Sequence, residues 1–98
     1  MAWVQIQKST EAKWSDYENV RRAIGDDPPE GLVYHAAGEV EGGRWQSVSI
    51  WESEEHFDRF REQRLEPAVS QALGDEVLSA GPPPSESFET KDVWKPLM

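Results

Sequence analysis

Cysteine is absent from these 98 residues, which excludes disulfides, thiolate nucleophiles and zinc or iron–sulfur sites held by sulfur. No apolar run reaches the roughly 18 residues a membrane-spanning helix needs, and the N-terminus lacks a basic stretch followed by an apolar one. No membrane partner and no export signal are therefore expected, and cytoplasmic residence follows. Basic residues are scarce: ten Lys and Arg stand against nineteen Asp and Glu, a net charge of −9. That balance repels a phosphate backbone, and no Lys/Arg stripe offsets it, so nucleic acid is excluded as a partner. Also missing are a Gly-rich phosphate loop, a Gly-x-Ser-x-Gly elbow and a Rossmann fingerprint, which leaves nucleotide cofactors and triad hydrolysis without support. His35 and His56 lie in separate elements among scattered carboxylates, a pattern that specifies no metal. No cofactor is expected.

What the chain does have is aromatic bulk. Five Trp, two Tyr and three Phe concentrate apolar area in rings that bury about 150–250 Å² each. A single domain over residues 1–98 buries only about two thirds of its unfolded surface, so a partner copy would help it.

Trp3 to Lys8 alternates with period two, with Val4 and Ile6 on one face and Trp3, Gln5 and Gln7 on the other, and reads as the first strand. Ser15 and Glu18 have capping-box spacing ahead of Tyr17, Val20 and Ile24, which predicts a helix over Asp16–Ile24. Asp26-Asp27-Pro28-Pro29 ends it. Strands are expected over Leu32–Val40 and Arg44–Trp51, joined at Gly42-Gly43. Ser53 can cap a second helix that buries Phe57 and Phe60; Pro67 should end or kink it near Leu65, and a further segment runs on to Gly74. After the stiff Gly81-Pro82-Pro83-Pro84, a last strand over Ser87–Trp94 is expected to return Phe88, Val93 and Trp94 to the sheet. The order is β-α-β-β-α-β, an α+β fold with a four-stranded antiparallel sheet.

If Gly42 and Gly43 are the two central residues of the turn, Tyr34, Ala36, Trp45, Ser47, Ser49 and Trp51 share one side, and Val33, His35, Ala37, Val48 and Ile50 the other. A three-residue loop would instead move His35 to the side of Trp51. Both sides carry apolar bulk, so the face away from the helices is expected to pair with a second copy in a homodimer. His35 is the candidate catalytic residue, because an imidazole in an apolar strand costs free energy unless it is hydrogen-bonded or useful. Trp51 and Trp45 suit stacking on a flat ligand or packing in a core, and Tyr34 offers a phenolic proton. Phe57 and Phe60 either fill the helix core or line a cavity beneath it. Arg64 continues their stripe and could reach a ligand carboxylate or enolate.

In element order, and most closely in Gly31-Leu-Val-Tyr-His-Ala-Ala-Gly38 and Trp51-Glu-Ser-Glu-Glu-His-Phe57-Asp-Arg-Phe60, the chain resembles the antibiotic biosynthesis monooxygenase-like family of the dimeric α+β barrel superfamily. The resemblance implies a ferredoxin-like subunit, paired sheet to sheet, with a ligand cavity between sheet and helices. It implies, for some relatives, oxidation of aromatic polyketides by molecular oxygen without metal or flavin, and for others haem degradation. Three functions follow: a cofactor-independent monooxygenase or isomerase acting on an aromatic, polyketide-like molecule; a non-catalytic dimer that binds a small hydrophobic ligand or supports a pathway enzyme; and haem binding. The haem-degrading branch fits poorly, because Phe60 stands where those proteins carry Trp, and Ser70 or a neighbour where they carry the ligating His.

Overall fold

A computed structural model describes residues 2–94. Four strands, β1 (Trp3–Lys13), β2 (Leu32–Glu39), β3 (Arg44–Trp51) and β4 (Ser85–Glu89), form an antiparallel sheet in the order β2-β3-β1-β4. Helices α1 (Trp14–Ile24), α2 (Glu54–Phe60), α3 (Glu66–Leu73) and α4 (Asp75–Ser79) complete a ferredoxin-like α+β fold. Trp3, Trp51 and Phe57 are its buried core, with Leu32 and Phe60 packed against them.

β1 runs five residues beyond its expected end at Lys8, through an irregularity between Lys8 and Lys13. Buried Ser9 repairs the break: its hydroxyl donates to the Ala12 carbonyl at 2.8 Å and accepts from the Trp45 N–H at 3.0 Å. Because the strand lasts to Lys13, α1 starts at Trp14 rather than Asp16. The Asp16 carboxylate, not a Ser15–Glu18 box, accepts the Lys13 N–H at 2.9 Å.

The hairpin loop holds three residues, Glu41–Gly43, closed by Val40 N–H to Arg44 O at 2.8 Å, with Gly42 and Gly43 both at positive φ. The two-residue register is therefore corrected. His35 lies opposite Ser49, Ala37 opposite Ser47, and Tyr34 and Ala36 opposite Ile50 and Val48. One added loop residue exchanges the faces of the whole strand, because side chains alternate.

The helix-side face carries Trp3, Gln5, His35, Ala37, Trp45, Ser47, Ser49 and Trp51. The outer face carries Val4, Ile6, Tyr34, Ala36, Val48, Ile50 and Phe88, with Tyr34 and Phe88 exposed. The outer side is apolar at its centre, with Lys8, Gln46 and Glu86 toward its edges, while the helix side is partly polar.

One further expectation is corrected. β4 ends at Glu89, and Val93 and Trp94 are exposed rather than packed on the sheet. Thr90 N–H still reaches Ala2 O at 2.9 Å, just beyond the ladder. The helix is interrupted ahead of Pro67, as expected: α2 ends at Phe60 and α3 runs from Glu66 to Leu73, with Gly74 following. A π turn over Arg61–Leu65, in which Glu66 N–H reaches back to Arg61 O, places Pro67 in the first turn of α3, where its missing N–H costs nothing.

Gly31 joins sheet to helix. Its carbonyl accepts the Glu52 N–H at 2.8 Å, its φ is +84°, and a Cβ there would lie 2.3 Å from the His56 ring. The imidazole cannot easily yield, because its Nδ1 is 2.7 Å from the Ser53 hydroxyl that also caps α2. Gly31→Ala is expected to destabilise the fold by about 2–4 kcal/mol, from left-handed backbone strain and overlap together, read as a lower urea midpoint.

Candidate active site

The helix-side face is built in two parts. In the first, β2 presents His35, β3 presents Ser49 directly opposite, and α1 lays Tyr17 across them. Tyr17 Oη is 2.6 Å from His35 Nε2, and His35 Nδ1 is 3.1 Å from Ser49 Oγ. The Tyr17 and His35 rings are nearly parallel, 6° apart, Trp14 stacks on Tyr17 at 4.9 Å, and Trp45 meets it at 5.4 Å and 49°. Each hydroxyl can donate or accept, so a neutral imidazole is satisfied in either tautomer.

His35 is exposed at its edge, yet the helix packed over its inner side desolvates it in part, which lowers its pKa, and the Arg21 guanidinium lowers it further. Burial raises the Tyr17 pKa, and Arg21 opposes that rise. At neutral pH the pair is thus held as phenol and neutral imidazole. The unfolded chain takes the histidine proton more readily, so the contribution of His35 to stability is fully present above its ordinary pKa of 6.5. It is lost progressively as pH falls from there toward the lowered folded value. Urea unfolding at about pH 7.5 and about pH 5.5 is expected to show greater stability at the higher pH, with His35→Asn reducing the difference.

The second part is aromatic. Trp51, 2% exposed, meets Phe57 edge-on at 5.6 Å and Phe60 at 5.3 Å, and Trp3 meets Phe57 at 5.4 Å. The Trp51 indole Nε1–H is buried and, among the described residues, has no hydrogen-bond partner. Such an orphan donor calls for an explanation. Ser49 and Trp51 are two residues apart on one face of β3, about 7 Å along the strand, so the two parts are neighbours.

Of the expected site residues, His35, Trp51, Phe57 and Phe60 thus share the helix side of the sheet. Tyr34 does not join them, because it stands on the outer face. Arg64 donates to the Ile24 carbonyl at 3.1 Å, closing the end of α1, while its guanidinium lies 6.0 Å from the Phe60 ring centroid. Tyr17 was legible only as part of an apolar helix stripe. The available signal was Gln5, Ser47 and Ser49, small or polar residues on the same strand faces as tryptophans, and all three are buried.

Two hollows of about 320 Å³ lie elsewhere. One, lined by Trp3, Ser53, Glu54, Glu55, Asp58 and Glu89, is acidic; the other runs along the outer face between Ala36 and Val48. Neither includes His35, so the candidate chemistry rests on the hydrogen-bonded network. Among the described residues no group of three or more His, Asp or Glu is arranged to hold a metal ion, and no helix is long and apolar enough to cross a membrane.

No family model and no curated protein matches the sequence. Solved structures do match in shape over nearly the whole chain. SnoaB, a cofactor-independent oxygenase from Streptomyces nogalater, is 14% identical with a TM-score of 0.57, covering 95% of each chain. A candidate antibiotic biosynthesis monooxygenase from Caulobacter crescentus is 17% identical with a TM-score of 0.61, covering 93% of this chain and 89% of that one. A dimeric ferredoxin-like protein of unknown function from Thermobifida fusca is 18% identical with a TM-score of 0.53, covering 92% of each. The chain is structurally like the antibiotic biosynthesis monooxygenases, and at these identities the likeness establishes the fold.

Proposed function

We propose that this chain, carrying the ferredoxin-like fold found in SnoaB, is a homodimeric, cofactor-independent monooxygenase acting on an aromatic, polyketide-like small molecule. The observation that carries the reading is an exposed neutral imidazole held between two hydroxyls on the helix side of the sheet, on the same face as a buried indole N–H that has no partner among the described residues. Together these supply a base and a donor for a substrate oxygen. Loss of a proton from an activated methylene leaves a carbanion that gives its electrons to molecular oxygen. The peroxide formed loses water, so methylene plus O₂ becomes carbonyl plus H₂O, and no metal or flavin enters the balance.

In this reading Trp51, Phe57 and Phe60 hold the substrate rings, and Arg64 meets an enolate by leaving the Ile24 carbonyl. The outer apolar face, Tyr34 included, pairs with its copy. The close packing of Trp3, Trp51, Phe57 and Phe60 favours a second reading, a dimer that binds a small ligand without turning it over. Oxygen uptake with anthrone, chelator present, separates the two. The wild type is expected to consume oxygen and His35→Ala to do so at least about 100-fold more slowly. Tight anthrone binding with no uptake would favour the second reading.

A further inference from the structure

We propose that Tyr17, rather than His35, is the group that exchanges a proton with the substrate, with His35 as the relay behind it. The inference deepens the oxygenase reading and rests on it. An imidazole accepts a proton only at a ring nitrogen, through one in-plane lone pair, and here both nitrogens are engaged. Nε2 faces Tyr17 Oη at 2.6 Å and Nδ1 faces Ser49 Oγ at 3.1 Å. A substrate therefore meets no free basic site on His35. The Tyr17 oxygen, by contrast, can give its own proton to Nε2 and still offer a lone pair outward.

Its position is fixed from more than one side. Trp14 stacks on the phenol at an interplanar angle of 12°, and Trp45 crosses it at 49°, so the hydroxyl is held on the imidazole. Burial raises the Tyr17 pKa and Arg21, one helical turn on, opposes that rise, so at neutral pH the phenol keeps its proton until the imidazole takes it. The step balances without electron transfer. The substrate's acidic proton moves to Tyr17 Oη as the tyrosine's own proton moves to His35 Nε2, which leaves a substrate anion, a neutral tyrosine and an imidazolium whose Nδ1–H donates to Ser49. The return path delivers the proton through Tyr17 to the oxygenated product. The substrate class this selects is a flat aromatic that arrives uncharged and carries one acidic hydroxyl or methylene proton.

Tyr17→Phe decides between relay and direct attack, because it keeps the ring stack and removes only the hydroxyl. The relay predicts at least an approximately 100-fold fall in oxygen uptake with anthrone. It predicts less than about a tenfold fall for Ser49→Ala, which cuts the chain beyond the reacting pair. If His35 attacks directly, Tyr17→Phe frees Nε2, and an unchanged or faster rate overturns the proposal. A second readout needs no turnover. 2-Hydroxyanthraquinone changes colour when it ionises, and is titrated about one pH unit below its free ionisation point. Wild type is expected to bind it as the anion and Tyr17→Phe as the neutral phenol. Anion bound equally by both proteins overturns the role of Tyr17 and leaves the oxygenase reading standing. Failure of the wild type to bind either aromatic overturns both.

Discussion

Trp51→Ala is expected to cost about 3–5 kcal/mol, a large share of the roughly 5–15 kcal/mol that holds a small domain together. The ring is 2% exposed, stands opposite Trp3 across the β1–β3 ladder, and touches the Phe57 and Phe60 rings of α2. Its removal deletes the contact by which sheet and second helix share a core, and neighbours fixed on a strand and a helix cannot collapse into the gap. Urea unfolding should show a much lower midpoint at an unchanged slope. Trp51→Phe is the informative contrast. The indole N–H has no partner among the described residues, so its loss forfeits no hydrogen bond and only part of the packing. A cost below about 2 kcal/mol is expected. A cost equal to that of the alanine variant would show that the N–H is bonded after all.

Val48→Asp is expected to leave a monomer. Val48 lies mid-face on the outer side of the sheet, opposite Ile6 on one neighbouring strand and Ala36 on the other. In the proposed sheet-to-sheet pair a two-fold axis repeats the substitution, so each interface buries two like charges among Val4, Ile6, Ile50 and Phe88, with a cation of this face, Lys8, exposed opposite Gln46. Unpaired buried charges cost several kcal/mol each, enough to shift assembly out of the micromolar range. Sedimentation should give half the wild-type mass. A wild type that already sediments as a single protomer with normal stability would remove the pairing, and with it the account of why this face is apolar.

The elements that local chemistry specifies were legible. β3 occupies Arg44–Trp51, as its alternation and flanking glycines require, and Ser53 caps α2 through the His56 N–H at 3.3 Å. What escaped depends on contacts distant in sequence. The strand face of His35 turned on one loop residue, since a three-residue and a two-residue turn both suit Gly42-Gly43. β4 pairs with β1 only as far as Glu89 opposite Trp3, which Val93 and Trp94 do not reveal by their own hydrophobicity. The break ahead of Pro67 was legible, but its form, a π turn, was not. Half of the candidate site was legible, because His35 and Trp51 are conspicuous in apolar strands. Tyr17 was not, since a tyrosine at helical spacing reads as core until the helix is laid over β2 and its hydroxyl meets an imidazole 18 residues away.

On the proposed reading, the partly polar helix side of the sheet performs proton chemistry that lets oxygen react without a cofactor. Oxygen consumption by the metal-stripped protein with anthrone tests it most directly. Uptake of one O₂ per anthrone with the quinone as product is expected, falling at least about 100-fold in His35→Ala and Tyr17→Phe alike. Uptake that persists in both variants, or that appears only when a metal or flavin is added, would contradict it.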